Sequence, residues 1–192
     1  MSQKERTLKM MTTNRNKFLE AKAILAGFNI NLTQVEEERV EIQADDLEEI
    51  ARFSAETAAH LIGVPLIVED AGLFIQRLNG FPGPYSSYTL RKIGLDGILK
   101  IMEGVQDRGA CFKSVVAFCS APQNHAVVFI GVVTGTISLE KRGEGGFGYD
   151  PLFIPLEGDG RTFAEMSPLE KGGLSHRGRA LREFGGWFTQ TG

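Results

Sequence analysis

Apolar residues in the first third of the chain alternate between short runs and spaced stripes. Residues 8–12 form a run that predicts a strand, and Thr13-Asn14 then offers a turn and a helix cap. Residues 29–35 predict a second strand, and an acidic stretch at residues 36–46 leads into a second helix. The apolar faces of the two helices are predicted at Phe18, Ala21, Leu25 and Phe28 and at Leu47, Ile50, Ala51, Ser54, Ala58 and Leu61.

Two adjacent carboxylates interrupt the apolar segment PLIVEDAGLFI at residues 65–75. The run before Glu69 and Asp70 predicts a buried strand, and residues 73–78 predict a further extended segment. An ionised carboxylate is costly to bury without a partner, so we expect the acids where the strand ends. Either the strand leads into a solvated turn at Ala71-Gly72, or the acids have a function there.

The middle of the chain combines a rigid loop, a helix and two long strands. Residues 79–90 contain two prolines and two glycines, and Pro84 is expected at the first position of a helix that runs toward Gly94. Residues 110–119 and 126–139 are rich in Val, Phe, Ile and Thr, which predicts antiparallel strands joined by a hairpin. The predicted sheet is therefore mixed.

The last part of the chain predicts one more strand and a final helix. A glycine-rich loop at residues 141–155 enters the strand, and Ser175 is expected to cap the helix. The apolar face of that helix is predicted at Ala180, Leu181, Phe184 and Phe188. Together the elements predict an α/β fold, with residues 1–192 forming a single domain that has two lobes and a cleft between them.

Length and charge narrow the possible functions. A chain of 192 residues is one generous domain or two small lobes, and it is long enough to bury a core. A net charge of -3 and a pI near 5.7 give no overall attraction to nucleic acid or to an anionic membrane. No stretch approaches about 18 consecutive apolar residues, and MSQKERTLKMMTT lacks the apolar segment of a signal peptide. Neither export nor membrane insertion is predicted.

Cysteine and histidine patterns exclude several kinds of site. Cys111 and Cys119 form neither a C-x-x-C motif nor a disulfide framework, which predicts reduced thiols and a cytoplasmic protein. His60 and His125 lie in no cluster with ligand spacing and are expected to be structural or exposed. No Ser-His-Asp or Cys-His motif is visible, so covalent catalysis is not predicted.

The segment TTNRNKFLE at residues 12–20 offers a place for an anion. Thr12 and Asn14 supply polar groups at a helix N-terminus, where free N–H groups and the macrodipole favour negative charge, and Lys17 lies in the first turn. The spacing is not that of a Walker motif, and an ordinary cap with a solvated lysine is the alternative. Glu20 lies on the same flank as Lys17, which an intrahelical ion pair would also explain.

Two further segments contain polar or aromatic groups suited to a ligand. In LSHRGRAL, His176, Arg177 and Arg179 place positive charge in a first helical turn, where the macrodipole opposes it. Such violations concentrate at functional sites, although a basic surface turn is the alternative. In GEGGFGYDP, Phe147 could stack on a ligand, or a hairpin could simply carry a core aromatic.

The order of four motifs resembles the inosine/xanthosine triphosphate pyrophosphatase family. The resemblance covers about residues 8–188, and it rests on TTNRNK (residues 12–17), VED with NGFPGPY (68–70 and 79–85), GFGYDP (146–151) and SHR (175–177). It implies a cytoplasmic homodimer that hydrolyses non-standard purine nucleoside triphosphates (ITP, dITP, XTP) to the monophosphate and pyrophosphate with Mg²⁺. The implied fold is an elongated mixed β-sheet flanked by helices, with two lobes around a central active-site cleft.

The resemblance also implies roles for individual residues. Asp70 is the implied general base or water-activating group, with Glu69 in support, and which carboxylate takes the proton stays open. The implied phosphate ligands are Thr12, Asn14, Lys17 and Lys171. The implied metal ligands are Glu20, Glu41 and Asp70. The implied base-binding residues are Phe147, Tyr149, Asp150, Ser175, His176 and Arg177.

Two positions depart from the family pattern. Many relatives carry a basic residue where this chain has Glu56 and Ser87, so the phosphate site is expected to be less positive. Three other functions remain open at this point: a pyrophosphatase of modified pyrimidine nucleotides, a nucleic-acid-binding module that uses residues 176–179, and a purely structural protein. The acidic balance disfavours nucleic acid as a partner.

Overall fold

The computed structural model describes residues 6–63 and 65–191, so MSQKE of the N-terminal segment lies outside the described residues. Within those ranges the helices are α1 (Arg15–Ala26), α2 (Leu47–Ile62), α3 (Ser86–Ile101), α4 (Pro168–Leu174) and α5 (His176–Gln190). The strands there are β1 (Arg6–Met11), β2 (Ile30–Val35), β3 (Leu66–Ile75), β4 (Pro82–Gly83), β5 (Gly109–Cys119), β6 (Val127–Ile137) and β7 (Phe153–Pro155). Short 3₁₀ helices lie at Gln76–Leu78 and Phe163–Glu165.

The strands form one mixed sheet flanked by helices, which confirms the predicted α/β fold class. The strand order is β2-β1-β3-β5-β6-β7, and β4 pairs with β3. β1 runs parallel to β2 and β3, whereas β4 is antiparallel to β3 and β7 is antiparallel to β6. None of the helices in the described residues is both long enough and apolar enough to cross a membrane.

The chain divides into two compact units, each with its own core. Unit 1 comprises the chain up to Asp70, Ser114–Gly131 and the chain from Arg177 onward, and unit 2 comprises Ala71–Lys113 and Val132–His176. The core of unit 1 includes Leu8, Leu25, Leu32, Ile67, Val116, Phe129 and Phe184. The core of unit 2 includes Leu73, Ile98, Phe112, Val133, Phe153 and Phe163. The two-lobed domain with a central cleft stays a prediction.

Local sequence signals explain the first two helices. Asn14 caps α1 by accepting a hydrogen bond from the Lys17 backbone N–H, as predicted. Asp46 caps α2, and the helix ends at Gly63 in a left-handed conformation that glycine adopts without strain. The prediction that Leu61 belongs to the buried face of α2 is wrong, because this side chain is 63% exposed. Ala55 and Ala59 lie on the buried face beside the predicted Ala58.

Three sequence predictions about the middle of the chain are wrong. β3 does not end at the acids: it continues through Glu69 and Asp70 to Ile75, so residues 73–75 are extended as predicted, whereas Gln76–Leu78 form a 3₁₀ helix instead of the rest of that segment. α3 begins at Ser86 rather than at Pro84; its kink lies at Gly94, the residue toward which that helix was expected to run, and a second helical part reaches Ile101. The strand can continue through the acids because the buried charge of Glu69 has cationic partners, described next.

Candidate active site

Glu69 is the centre of a buried ion cluster in unit 1. Its side chain is 0% exposed on β3. Lys17 Nζ of α1 lies 2.9 Å from Glu69 Oε2, and Arg177 Nε of α5 lies 3.1 Å from Oε1. The Ser114 hydroxyl of β5 donates a hydrogen bond of 2.6 Å to Oε1. Three different elements therefore contact this carboxylate: Oε1 accepts the Ser114 hydrogen bond, whereas Oε2 meets Lys17 as an ion pair without hydrogen-bond geometry.

The partners of Glu69 keep it ionised. Burial alone raises the pKa of a carboxyl group, but the charges of Arg177 and Lys17 lower the pKa of Glu69 further than burial raises it. The hydrogen bond from Ser114 and the close contact with Lys17 add to this, so the pKa of Glu69 lies well below its ordinary value. Glu69 is therefore a buried anion at neutral pH, and it lies between two cations.

The turn at the start of α5 is buried. Arg177 is 3% exposed, and its Nη1 donates a hydrogen bond of 2.6 Å to Glu20 Oε2. The alternative of a basic surface turn is therefore wrong for Arg177. Lys17 pairs with Glu69 on β3, and Glu20 pairs with Arg177 on α5. Both side chains of α1 therefore form ion pairs with residues outside their own helix.

Asp70 follows Glu69 on β3 and is partly exposed. Burial raises the pKa of Asp70, and the charges of Glu41 and Glu69 raise it further, while Lys17 and Arg39 lower it. The net direction is upward. Asp70 is thus a carboxyl group whose negative form is disfavoured by its surroundings, in contrast to its neighbour.

Arg39 connects the acidic segment before α2 to β3. Its Nη2 donates to Glu41 Oε1 at 2.6 Å, and its Nη1 donates to the backbone oxygen of Glu69 at 3.3 Å. Lys17 Nζ lies 3.5 Å from the same oxygen. These contacts bring Glu41 into the electrostatic neighbourhood of Asp70.

The donors around Asp70 suit a magnesium ion. Within the described residues, no three Asp, Glu, His or Cys side chains are already placed to hold a metal. Mg²⁺ usually needs only one or two carboxylates in a protein, because waters and substrate phosphates complete its octahedron. Asp70 and Glu41 are hard oxygen donors, and the charge of Glu41 acts on Asp70, so the chemistry of these two carboxylates fits the ion. The ligand roles of Glu20, Glu41 and Asp70 stay predictions.

The turn between β1 and α1 is ordered by its own polar side chains. Thr12 is buried, and its Oγ1 accepts a hydrogen bond of 3.1 Å from the Asn14 N–H. Asn14 Oδ1 accepts a hydrogen bond of 3.1 Å from the Lys17 N–H. The capping interpretation is thus correct as a description of structure, and the phosphate-binding roles of these residues stay predictions.

A second buried ion pair lies in unit 2. Lys171 Nζ of α4 lies 2.6 Å from Asp150 Oδ2, and both side chains are almost fully buried. The Phe147 N–H donates a hydrogen bond of 2.7 Å to the same oxygen. Lys171 Nζ also lies 4.5 Å from the centre of the Phe147 ring, in cation–π geometry. The structure thus places Lys171 with the predicted base-binding residues.

The other predicted base-binding residues differ in their surroundings. Tyr149 is a core residue whose hydroxyl donates to the Ser86 backbone oxygen at 2.8 Å, and burial raises its pKa to about 12. Phe147 is half-buried. Ser175 and His176 are buried, and the His176 ring lies parallel to Phe112, with 4.4 Å between ring centres.

Sequence reasoning missed three residues of these clusters. Ser114 is a polar residue within the apolar run of β5, and Arg39 is a cation within the acidic residues 36–46. In each case a residue that differs from its neighbours indicated that its side chain has a specific partner. Phe112 gave no such signal, because an aromatic in a strand is ordinary core. His60 and His125 are exposed, as predicted, and Cys111 and Cys119 are free thiols.

The two departures from the family pattern have local partners. Glu56 Oε1 accepts a hydrogen bond of 3.0 Å from the Ala126 N–H, and His125 Nδ1 lies 3.3 Å from the same oxygen. Glu56 therefore ties α2 to the segment before β6. Ser87 Oγ accepts a hydrogen bond of 2.7 Å from Arg91 Nη1 on α3, which brings a cation to that position.

Comparison with known proteins identifies the family. The model of the Ham1 family matches residues 8–187. The chain belongs to the Ham1 family. A Methanopyrus kandleri protein named dITP/XTP pyrophosphatase is 51% identical over 177 residues, which cover 92% of this chain and 93% of the relative. A Saccharolobus solfataricus protein of the same name is 51% identical over 175 residues, covering 91% and 90%.

A solved structure extends the likeness to the fold. A Ham1 protein from Coxiella burnetii is similar with a TM-score of 0.86 and 31% identity, covering 97% of this chain and 100% of that chain. Membership of the Ham1 family confirms the resemblance that was based on four motifs. It also agrees with the mixed sheet described above.

Proposed function

We propose that the chain hydrolyses non-standard purine nucleoside triphosphates (ITP, dITP and XTP) to the monophosphate and pyrophosphate. The observation that carries the proposal is the ion cluster of unit 1, in which Lys17 and Arg177 pair with buried Glu69 and Asp70 follows it on β3. Such a cluster offers positive charge to bind an anionic substrate. It also offers a carboxyl group, that of Asp70, to accept a proton from water. The names of the relatives that are 51% identical support the same reaction.

The start of α1 is the proposed triphosphate site. Thr12 and Asn14 order the turn, and the helix N-terminus favours an anion. Lys17 is 17% exposed and held by Glu69, so its ammonium group is fixed before substrate arrives. Lys171 is the further proposed phosphate ligand, and it would have to leave or share its pair with Asp150.

Asp70 is the proposed acceptor of a proton from the attacking water. Its raised pKa follows from burial and from the neighbouring carboxylates, and this favours a group that takes up a proton. Asp70, Glu41 and Glu20 are the residues that would hold Mg²⁺, which when bound neutralises charge on the triphosphate. Glu69 supports the site by holding Lys17 and Arg177, since its own oxygens already have partners.

The proposed base site selects by hydrogen bonding. Phe147 would stack on the purine, with Tyr149 and Asp150 shaping the loop around it. Ser175, His176 and Arg177 would read the base edge. Inosine and xanthosine present the acceptor O6 where adenine presents an amino donor, so a donor such as Arg177 favours them. Guanine shares O6, and its exclusion depends on its 2-amino group.

We propose further that the protein is a cytoplasmic homodimer that binds neither nucleic acid nor membrane. The aromatic side chains of Tyr85 and Tyr88 are 42% and 55% exposed in unit 2, which suits a protein contact. Free cysteines and an acidic balance agree with the cytoplasm and with a small-molecule substrate.

A substrate panel tests the reaction and the base preference together. Release of pyrophosphate and monophosphate is measured from ITP, dITP, XTP, ATP, GTP, dTTP and dUTP, with and without Mg²⁺. The expected result is Mg²⁺-dependent release from ITP, dITP and XTP at least about tenfold above the other substrates in kcat/KM. Preference for dTTP and dUTP would favour the pyrimidine alternative, and release of single phosphate would contradict cleavage between the α- and β-phosphates.

A further inference from the structure

Ser114 is a buried hydroxyl in an otherwise apolar part of β5. The residues after it are Val115, Val116 and Ala117, and Ser114 itself is 0% exposed. A hydroxyl buried in such a place is costly unless it forms a hydrogen bond. Its partner is a side chain rather than the backbone: Ser114 Oγ donates to Glu69 Oε1 at 2.6 Å. Strands β3 and β5 are neighbours in the sheet, so both groups are attached to rigid backbone.

The orientation of the Glu69 carboxylate affects two cations at once. Oε2 faces Lys17 Nζ at 2.9 Å and Oε1 faces Arg177 Nε at 3.1 Å. The terminal torsion of a glutamate is soft, and lysine and arginine are long side chains with many rotamers. The cations alone would hold the carboxylate loosely, whereas a short bond from a strand hydroxyl fixes its plane.

We propose that Ser114 is a positioning residue for the active site: by fixing the carboxylate of Glu69, it sets the places of Lys17 and Arg177. The inference deepens the proposed function and rests on it. Lys17 belongs to the phosphate end of that proposal and Arg177 to the base end. Loss of the Ser114 hydroxyl therefore weakens substrate binding and base selectivity together, and the loss exceeds that caused by reduced stability alone.

Three variants separate positioning from simple stabilisation. Ser114→Ala removes the donor, and Ser114→Thr retains a hydroxyl on a strand position that suits a β-branched residue. Ser138→Ala is the matched control, because Ser138 is also a buried serine whose hydroxyl donates to an oxygen, at 2.5 Å to the Glu140 backbone. Should Ser114→Ala not fold, Ser114→Cys replaces it, since a thiol is similar in size and a weaker donor.

Two readouts are measured beside the thermal midpoint. One is the affinity for IMP without Mg²⁺ by calorimetry, which depends on neither metal nor turnover. The other is the ratio of kcat/KM for ITP to kcat/KM for ATP with Mg²⁺. We expect Ser114→Ala to lower both by about fivefold or more, and Ser114→Thr and Ser138→Ala to stay within about twofold of wild type.

The outcomes separate this inference from the function on which it rests. If Ser114→Ala, or Ser114→Cys in its place, matches Ser138→Ala in IMP affinity and selectivity, Ser114 is only a stabilising residue and the inference is wrong. If the wild type neither hydrolyses ITP nor binds IMP, the proposed function is wrong and the inference is lost with it. The inference is supported if Ser114→Ala lowers the IMP affinity and the selectivity for ITP, and Ser114→Thr restores both.

Discussion

Each unit buries one carboxylate against at least one cation, but the two clusters differ in what surrounds the ion pair. In unit 1, Glu69 lies between Lys17 and Arg177. In unit 2, Asp150 pairs with Lys171, which also lies over the Phe147 ring. The first arrangement holds Lys17 in the first turn of α1, where the helix N-terminus also favours an anion, which suits phosphates. The second is a balanced pair beside an aromatic surface, which suits an uncharged heterocycle.

The two adjacent carboxyl groups of unit 1, Glu69 and Asp70, also differ from each other. Asp70 in unit 1 has a pKa raised by burial and by its acidic neighbours, whereas the pKa of Glu69 next to it is lowered by its cations. Two adjacent carboxyl groups are thus pushed in opposite directions, the pattern expected where one positions charge and the other handles a proton. Changes to unit 1 should therefore affect turnover most, and changes to unit 2 should affect base recognition most.

The largest effect is expected from Asp70→Asn. Asparagine keeps the shape but accepts no proton, so kcat for ITP should fall by about a thousandfold while the folded structure is retained. Steady-state kinetics and a thermal midpoint measure the two properties. Glu144→Gln, an exposed acid of unit 2, is the control and should leave kcat unchanged. An Asp70→Asn variant with more than about a tenth of wild-type kcat would remove Asp70 from the chemistry.

Lys17→Ala should come next. It removes a cation from the proposed triphosphate site and leaves Glu69 with one cation fewer, so kcat/KM for ITP should fall by about a hundredfold. The matched control is Lys22→Ala, an exposed lysine on the same helix. If Lys17→Ala stays within about twofold of wild type, Lys17 does not bind the triphosphate.

Phe147→Ala should have a smaller and more selective effect. Loss of one base–aromatic stack costs roughly 1 to 3 kcal/mol, so KM for ITP should rise by about tenfold with kcat little changed. Leu156→Ala removes an exposed apolar side chain of the same unit and serves as the control. An unchanged KM would mean that the purine stacks elsewhere.

The smallest effect concerns the pH dependence of stability. Because burial raises the pKa of Asp70 above its unfolded value, its negative form destabilises the fold at neutral pH. The wild type should therefore be less stable than Asp70→Asn at pH 7, by no more than about 1 kcal/mol, and the difference should vanish as pH falls below the unfolded value. Urea titrations at several pH values measure this. A wild type that is more stable than the variant at pH 7 would contradict it.

Glu69 should behave in the opposite way. Its pKa is lowered in the folded state, so its stabilising contribution is present above the unfolded value and is lost as pH falls toward the folded one. Glu69→Gln should therefore be destabilised at pH 7. The same urea titrations compare it with Asp70→Asn, and equal effects of the two substitutions would end the contrast between the neighbours.

Structural features that depend only on neighbouring residues could be predicted from the sequence. The Asn14 cap and most of the buried face of α2 follow from local rules of capping and periodicity. The family followed from the order of four motifs. The predicted break of β3 at the acids was wrong because local reasoning assigns a buried charge a cost and has no knowledge of its partners.

Partners from distant segments were beyond that reasoning. Glu69 is compensated by Lys17, Ser114 and Arg177, which belong to α1, β5 and α5. Only the fold brings these elements together. The violated helix rules at residues 176–179 indicated an unusual environment, but they did not reveal that Arg177 is buried against Glu20 and Glu69.

The most direct test asks whether the two clusters bind different parts of one nucleotide. Inosine carries the base without phosphate, and tripolyphosphate carries the phosphates without a base; both are titrated into wild type, Lys17→Ala and Phe147→Ala by NMR. The prediction is that Lys17→Ala lowers the affinity for tripolyphosphate by about tenfold and leaves the affinity for inosine unchanged, and that Phe147→Ala does the reverse. Both substitutions are expected to lower the affinity for ITP. The account is contradicted if one substitution lowers the affinities for both fragments equally, or if either substitution leaves the affinity for ITP unchanged.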